Sequence, residues 1–226
     1  MLNKAIMAPA MCLLLAPGAS GQSRGAEEVN PRPAFSAGMG VIMMSARDVV
    51  DLVNATALPS ERVAEFHAAA EFFGAASYPL SADWILKFEY AFLAGSLAVA
   101  GALGPADFGV TAHMPSLIAQ YVLTDRGAYN LKLGAGGGYY VGTLSEKYLT
   151  IDDMYSGSGA GVLLELEANT AFGDHLFAYL GGNLRWSFIG PLTNAAGVSP
   201  GRGADGSGTT LNFFGAGARL GFSYLF

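Results

Sequence analysis

The last sixteen residues, LNFFGAGARLGFSYLF from Leu211 to Phe226, constrain the fold more than any other stretch. Alternate positions put Phe214, Ala216, Ala218, Leu220, Phe222, Tyr224 and Phe226 on one face, and Gly215, Gly217, Arg219, Gly221 and Ser223 on the other. That period belongs to a β-strand, whose successive side chains point to opposite sides. The first face is greasy and becomes aromatic towards its end, while the second carries glycine, serine and a charge. Hydrocarbon suits the first and a crowded polar lumen the second, so the pattern predicts the closing strand of a small membrane barrel. The competing reading is the edge strand of a soluble sandwich.

Composition narrows the choice. Hydrophobic residues make up 52% of the 226 and charged residues only 13%, with 31 glycines and a mean hydropathy of +0.36, too apolar for an ordinary soluble domain of this size. Beyond the N-terminus no run has the length and apolarity of a membrane helix. The nearest, Ala91 to Ala106, is broken by Gly95, Ser96, Gly101, Gly104 and Pro105. Abundant apolar surface without a spanning helix points to strands. A net charge of −6 and a pI near 4.9 leave no basic stripe to neutralise phosphates, which argues against nucleic acid as a partner.

Residues 1–21 read as a secretory signal: Asn3 and Lys4, an apolar centre from Ile6 to Ala16, then the small residues of PGASG, which implies export. The single cysteine, Cys12, lies in this leader, so the mature chain has neither disulfide nor thiol nucleophile. Residues 22–33 form a polar periplasmic leader, and residues 34–226 the barrel domain.

Alternation and turn residues suggest eight strands: Ala34 to Met44, Ala82 to Leu93, Ser96 to Leu103 after a tight AGS turn, Met114 to Thr124, Ala128 to Val141, Ala160 to Phe172, His175 to Ile189, and the closing strand. The expected fold is all-β, an eight-stranded antiparallel transmembrane β-barrel with a partly helical long first outer loop. In that loop Ser60 can cap a helix and Gly74 end it, with Val63, Phe66, Ala70 and Phe73 as its apolar stripe. Such a helix lies on the barrel rim or forms a lid over its mouth. The glycine-rich run Gly190 to Gly208 is expected to be a mobile outer loop.

The run HMPSLIAQYVL (His113 to Leu123), followed by YNLKLGAGGGYY (Tyr129 to Tyr140), resembles paired strands of the outer-membrane protein W family, and ILKFEYAFLAGSLAVAGALGP is similar to that family's second and third strands. The match runs by pattern over two thirds of the mature chain. It departs at Ser116, where the family has a second proline, and at Tyr129-Asn130-Leu131, where it has Pro-Tyr-Val. The resemblance implies an eight-stranded outer-membrane barrel with a hydrophobic channel, involved in uptake of small hydrophobic compounds. The aromatic end at Phe226 also resembles the closing signal read by the barrel-assembly machinery. Outer-membrane lipid and lipopolysaccharide are the surrounding partners implied, and no cofactor.

Eight strands leave an interior filled by side chains or one small ligand, which excludes a general porin. The inward parity collects Lys87, Lys132, Arg185 and Arg219 against Glu89, Glu165 and Glu167, with Gln120, Asn169 and Asn183 between. Charges confined there must pair, which predicts a polar plug. Nearer the outer mouth the same parity gives Ile42, Met44, Ile85, Met114, Ile118, Tyr140, Leu163, Leu211 and Phe213. These predict an apolar upper chamber that accepts a small hydrophobic molecule, released sideways through the wall, or else packing against the helical loop.

Other chemistries are weaker. The GAGGG run has Tyr139 where the third glycine of a nucleotide loop belongs, and it is better read as close strand packing. His113 and Ser116 could serve a lipid A hydrolase only if a bulge at Pro115 brought them to one face. His67 and His175 have no metal-ligand spacing around them. A structural or adhesive surface barrel remains the main alternative to hydrophobic transport.

Overall fold

The computed structural model describes residues 32–226 apart from 58, 60, 61, 65–67, 103 and 201–207. The signal segment, Cys12, nearly all of the leader, and Ser60, Phe66 and His67 of the expected loop helix lie outside the described residues. Eight strands and one helix follow in order: β1 (Ala34–Ser45), α1 (Arg47–Thr56), β2 (Ala69–Pro79), β3 (Trp84–Gly101), β4 (Gly104–Asp125), β5 (Tyr129–Tyr148), β6 (Ile151–Ala171), β7 (Leu176–Ile189) and β8 (Phe213–Leu225). Each pairs antiparallel with the next, and β1 pairs with β8 from Ala34↔Leu225 to Ser45↔Phe214, closing the ring. Closure removes both sheet edges, which hydrocarbon demands because no water is there to satisfy them.

The parity read from the sequence is the parity of the wall. Phe35, Phe88, Leu117, Leu164, Leu180, Leu220 and Phe222 are exposed on the outside, whereas Arg219, Glu165 and Lys87 are buried within. Aromatic side chains ring the end with short turns: Tyr78, Trp84, Tyr121, Tyr129, Tyr224 and Phe226 are all exposed there. Short turns mark the periplasmic end of such barrels and long connections the outer end. The turn after β4 is built by Asp125, whose Oδ1 accepts the Gly127 N–H at 3.0 Å. Gly127 has φ 68°, a conformation that glycine adopts without strain.

Strands β3 to β6 run 18, 22, 20 and 21 residues, about twice the nine to eleven needed to cross the apolar layer. Their upper halves therefore rise beyond the membrane. The outward face of β5 records the boundary, passing from Leu133, Tyr139 and Val141 to Thr143, Ser145 and Lys147.

Three expectations are corrected. The helix of the first outer loop is Arg47–Thr56, and Ala70 to Gly74, expected at its end, are β2. Both periods fit the AAEFFGAAS stretch; the ring decides, because β1 and β3 would otherwise face hydrocarbon with unpaired backbone. The AGS at Ala94 to Ser96 makes no turn. The β3–β4 ladder runs unbroken from Trp84↔Tyr121 to Gly101↔Gly104, so two expected strands are halves of one. The loop before β8 is tied down in its described part by Ser156↔Thr193 and Pro191↔Thr210 bridges and by Leu192, which is fully buried.

Candidate functional site

The lumen is divided by height into a vestibule, a charged layer and an apolar chamber. The charged layer has two linked halves. In one, Arg219 makes two-pronged contacts, Nε to Glu71 Oε2 at 2.9 Å and Nη2 to Glu71 Oε1 at 2.8 Å. Its Nη1 also reaches Glu89 Oε2 at 2.8 Å. Arg185 Nη2 donates to Glu89 Oε1 at 3.2 Å, and Asn183 Nδ2 to Glu71 Oε2 at 3.2 Å.

In the other half Lys87 Nζ lies 3.0 Å from both Glu165 Oε2 and Glu167 Oε2, and Lys132 Nζ is 2.9 Å from Glu167 Oε1. Gln120 Nε2 donates to both carboxylates at 2.8 Å. Glu89, 3.4 Å from Lys87 and 2.8 Å from Arg219, joins the halves. All seven residues expected in the plug meet in this one network.

Glu71 is the member that sequence reasoning missed, having been placed in a helix. A signal for it existed. Four inward cations faced three carboxylates, and a closed interior does not tolerate an unpaired cation; Glu71, fully buried, is the fourth carboxylate. The ring of Phe73, two residues on, lies 5.0 Å from the Arg219 guanidinium and adds a cation–π contact.

Above this layer, Ile42, Met44, Met114, Tyr140, Leu211 and Phe213 form one apolar cluster, together with Val49, Val50 and Leu52 of α1 and Leu192. The helix occupies the chamber. Its buried face has the i, i+1, i+3, i+4 spacing of an amphipathic helix, with Arg47, Asp48 and Asp51 left in solvent. Val53 and Ala57 pack higher, against Ala106, Phe108 and Tyr148. Each buried valine or leucine contributes about 1.5–3 kcal/mol.

Among the described residues the polar ties of α1 are few, and one of them is an exposed ion pair between Asp51 and Arg62 at 3.6 Å. Asn54 and Val63 exchange two hydrogen bonds at 2.9 Å, Ala57 O accepts from Ala102 N–H, and Asp48 accepts from Thr210. Tyr140 is the seam between the two regions, its ring in the apolar cluster and its hydroxyl accepting from Arg185 Nη1 at 2.8 Å. The ring lies where Gly161 has no side chain; a Cβ there would stand 1.8 Å from it.

Three of the nine expected chamber residues lie elsewhere. Ile85 faces inward but at the periplasmic end of β3, on the wall of the vestibule. Ile118 and Leu163 lie level with the charged layer, register partners of Lys87 and Arg185. Alternation gives the face of a residue; its height comes only from the register of the whole ring.

The vestibule is a cavity of about 390 Å³ open to the periplasm, with Lys132, Asn130 and Asn169 towards its inner end and Arg32, Asp125 and Asp174 around its rim. A second carboxylate pair stands above the membrane. Glu146 is buried directly across from Asp153, and burial followed by the Asp153 charge push its pKa up. Tyr155, whose hydroxyl donates to Asp153 Oδ2 at 3.2 Å, is pushed up to about 12, first by burial and then by the charges of Glu146 and Asp153.

The hydrolase pair is not assembled. The ladder keeps one register from His113↔Val141 to Ser116↔Gly138, and the one irregularity in the β4–β5 ladder lies between Val122 and Thr124. His113 is therefore exposed on the outer face, bonded to Tyr90, while Ser116 is buried in the lumen beside Tyr140. Among the described residues no cluster of three or more metal-ligating side chains occurs.

No protein-family model matches the chain, and a search of curated proteins finds no relative. Among solved structures the chain is similar to Neisserial surface protein A, with a TM-score of 0.55 and 12% identity, over 86% of this chain and 97% of that one. It is similar also to a major outer membrane protein of Thermus thermophilus, with a TM-score of 0.53 and 14% identity, over 86% and 99%. Likeness at this identity speaks for architecture alone: the chain has the fold of the small β-barrels of bacterial outer membranes.

Proposed function

We propose that this is a non-catalytic barrel of a bacterial outer membrane that binds small hydrophobic molecules at its outer end, in the place that α1 occupies. The observation that carries this reading is the match between the chamber wall and one apolar helix face held by few directional bonds. Apolar contact is non-directional, so a ligand of similar shape can replace the helix against the wall. The displaced valines and leucine are then covered again by lipid or ligand, which offsets the roughly 1.5–3 kcal/mol that each loses in water. The outer-membrane protein W pattern in β3 to β5 supports the same choice of ligand. Passage through the barrel is not part of the reading, because the charged layer blocks the axis. Sideways release through the wall would use the gap in the β4–β5 ladder, which passes from His113↔Val141 to Ser116↔Gly138 without a pair at Met114 or Pro115. Lipopolysaccharide and lipid would surround such a barrel.

Spin labels at Asp51→Cys and Lys147→Cys, both exposed, test this in nanodiscs. Saturating long-chain hydrocarbon is expected to move and broaden the distance distribution. An unchanged distribution sinks the proposal. One observation favours a second reading, a surface-contact barrel: the β3–β6 sheet rises well beyond the membrane. Under that reading, shortening the β5–β6 hairpin abolishes cell or host contact and leaves hydrocarbon binding intact.

A further inference from the structure

We propose that the periplasmic vestibule binds a single-chain amphiphile with an anionic head, seated head-inward against Lys132 and Asn130. The cavity, about 390 Å³, is within the range of small-ligand sites, roughly 300–1,000 Å³. Its inner end is polar, while Ile85, Val122 and Phe177 line its walls. A molecule with a polar head and a short alkyl body matches that division.

The sign of the head follows from which groups lack partners. Asn169 has both of its donors engaged, its amide nitrogen donating to Glu167 and Asn130, and its oxygen accepts from Ser223. Asn130 uses its oxygen in that contact, and its Nδ2 donates to nothing among the described residues, although the residue is only 7% exposed. Lys132 donates to Glu167 alone. Among the described residues that line the inner end, the unmatched groups are therefore donors, the unpartnered Gln120 Oε1 lying outside that lining. They call for a ligand with acceptors.

Lys132 is also the cation of the charged layer that the vestibule reaches. Its side chain is 11% exposed, against 0% for Lys87 and Arg185 and 1% for Arg219. Its partner Glu167 is held as well by Lys87, Gln120 and Asn169, so Lys132 can turn towards a second anion without leaving Glu167 unpaired. At the rim, Asp174 is exposed and Asp125 already accepts from Gly127. Water and salt screen these charges within about 8 Å. A carboxylate or a phosphate head satisfies the same donors. The site lies beneath the charged layer and stands whether or not α1 yields to a ligand.

The test is equilibrium dialysis of the folded barrel in nanodiscs with labelled octanoate and octyl phosphate, against octanol and octyltrimethylammonium, subtracting empty discs. Saturable one-to-one binding of one or both anions is expected, at least tenfold tighter than of the neutral and cationic analogues. Which anion binds tighter identifies the head. Asn130→Leu is expected to weaken binding about tenfold, and Ala171→Trp, which fills the vestibule, to abolish it, in protein whose gel mobility shows a folded barrel. Equal binding of all four probes, or unchanged binding in folded Ala171→Trp, overturns the proposal. Leu52→Asp, which disrupts the outer chamber, is expected to leave anion binding unchanged, so failure at one end does not count against the other.

Discussion

The two closures of this lumen work by opposite physics. The charged layer is made of side chains fixed on six strands of the wall, and every member is held by directional, charge-assisted bonds. Apart from Lys132 at its periplasmic edge, it cannot rearrange unless the wall does. The outer chamber is closed by a helix on a loop, through contacts that any apolar body can make. A buried polar network specifies one arrangement because each lost bond strands a charge. An apolar interface specifies only shape and volume. The middle of the barrel is thus built to stay shut, and its outer end to exchange what fills it.

The sharpest way to break this contrast is Glu71→Leu. It leaves Arg219 and Arg185 facing one carboxylate instead of two, and truncating one partner of a buried ion pair costs about 3–5 kcal/mol. Urea unfolding in lipid vesicles, followed by gel mobility, is expected to show a loss of that size. A loss under about 1 kcal/mol would mean that the layer does not act as a unit.

Gly161→Ala probes the seam. Its Cβ would displace the Tyr140 ring, at an expected cost of about 1–3 kcal/mol. If Tyr140 couples the halves, outer proteolysis near α1 rises together with the loss of global stability. A change in only one of them separates the halves.

The smallest effect is expected from Glu146. Its raised pKa means that the folded state holds the proton more tightly than the unfolded chain. The associated stability is full below the ordinary carboxylate value, about 4.3, and is lost as pH rises through the higher folded value. Hydrogen exchange of the upper β5–β6 hairpin, corrected for the intrinsic pH dependence of exchange, is therefore expected to show more protection at about pH 4 than at about pH 7. Glu146→Gln should remove the difference; its persistence would point to another group.

Much of the wall was legible because each of its faces meets a different solvent. The outward Phe222 and inward Arg219 of β8, and the seven charges of the plug, could be assigned from parity alone. Glu71 could not, because AAEFFGAAS satisfies both a helical and a strand period, and nothing local separates them. The join of Ala94 to Ser96 was hidden by a glycine and a serine that read as a turn. Ile85 was placed on the right face and at the wrong height, since height is a property of register between strands and not of the strand itself. Glu146 lay beyond the expected end of β5, where the strand leaves the membrane and its outward face turns polar.

By itself, then, the order of residues determined the two-faced wall and the presence of charge inside it, because alternation is local and hydrocarbon tolerates no exceptions. Only the closed ring decided which residues share a level, that Glu71 completes the charge balance, and that a helix fills the outer chamber. Those facts depend on contacts between segments far apart in the chain, and closing the ring is what fixes them.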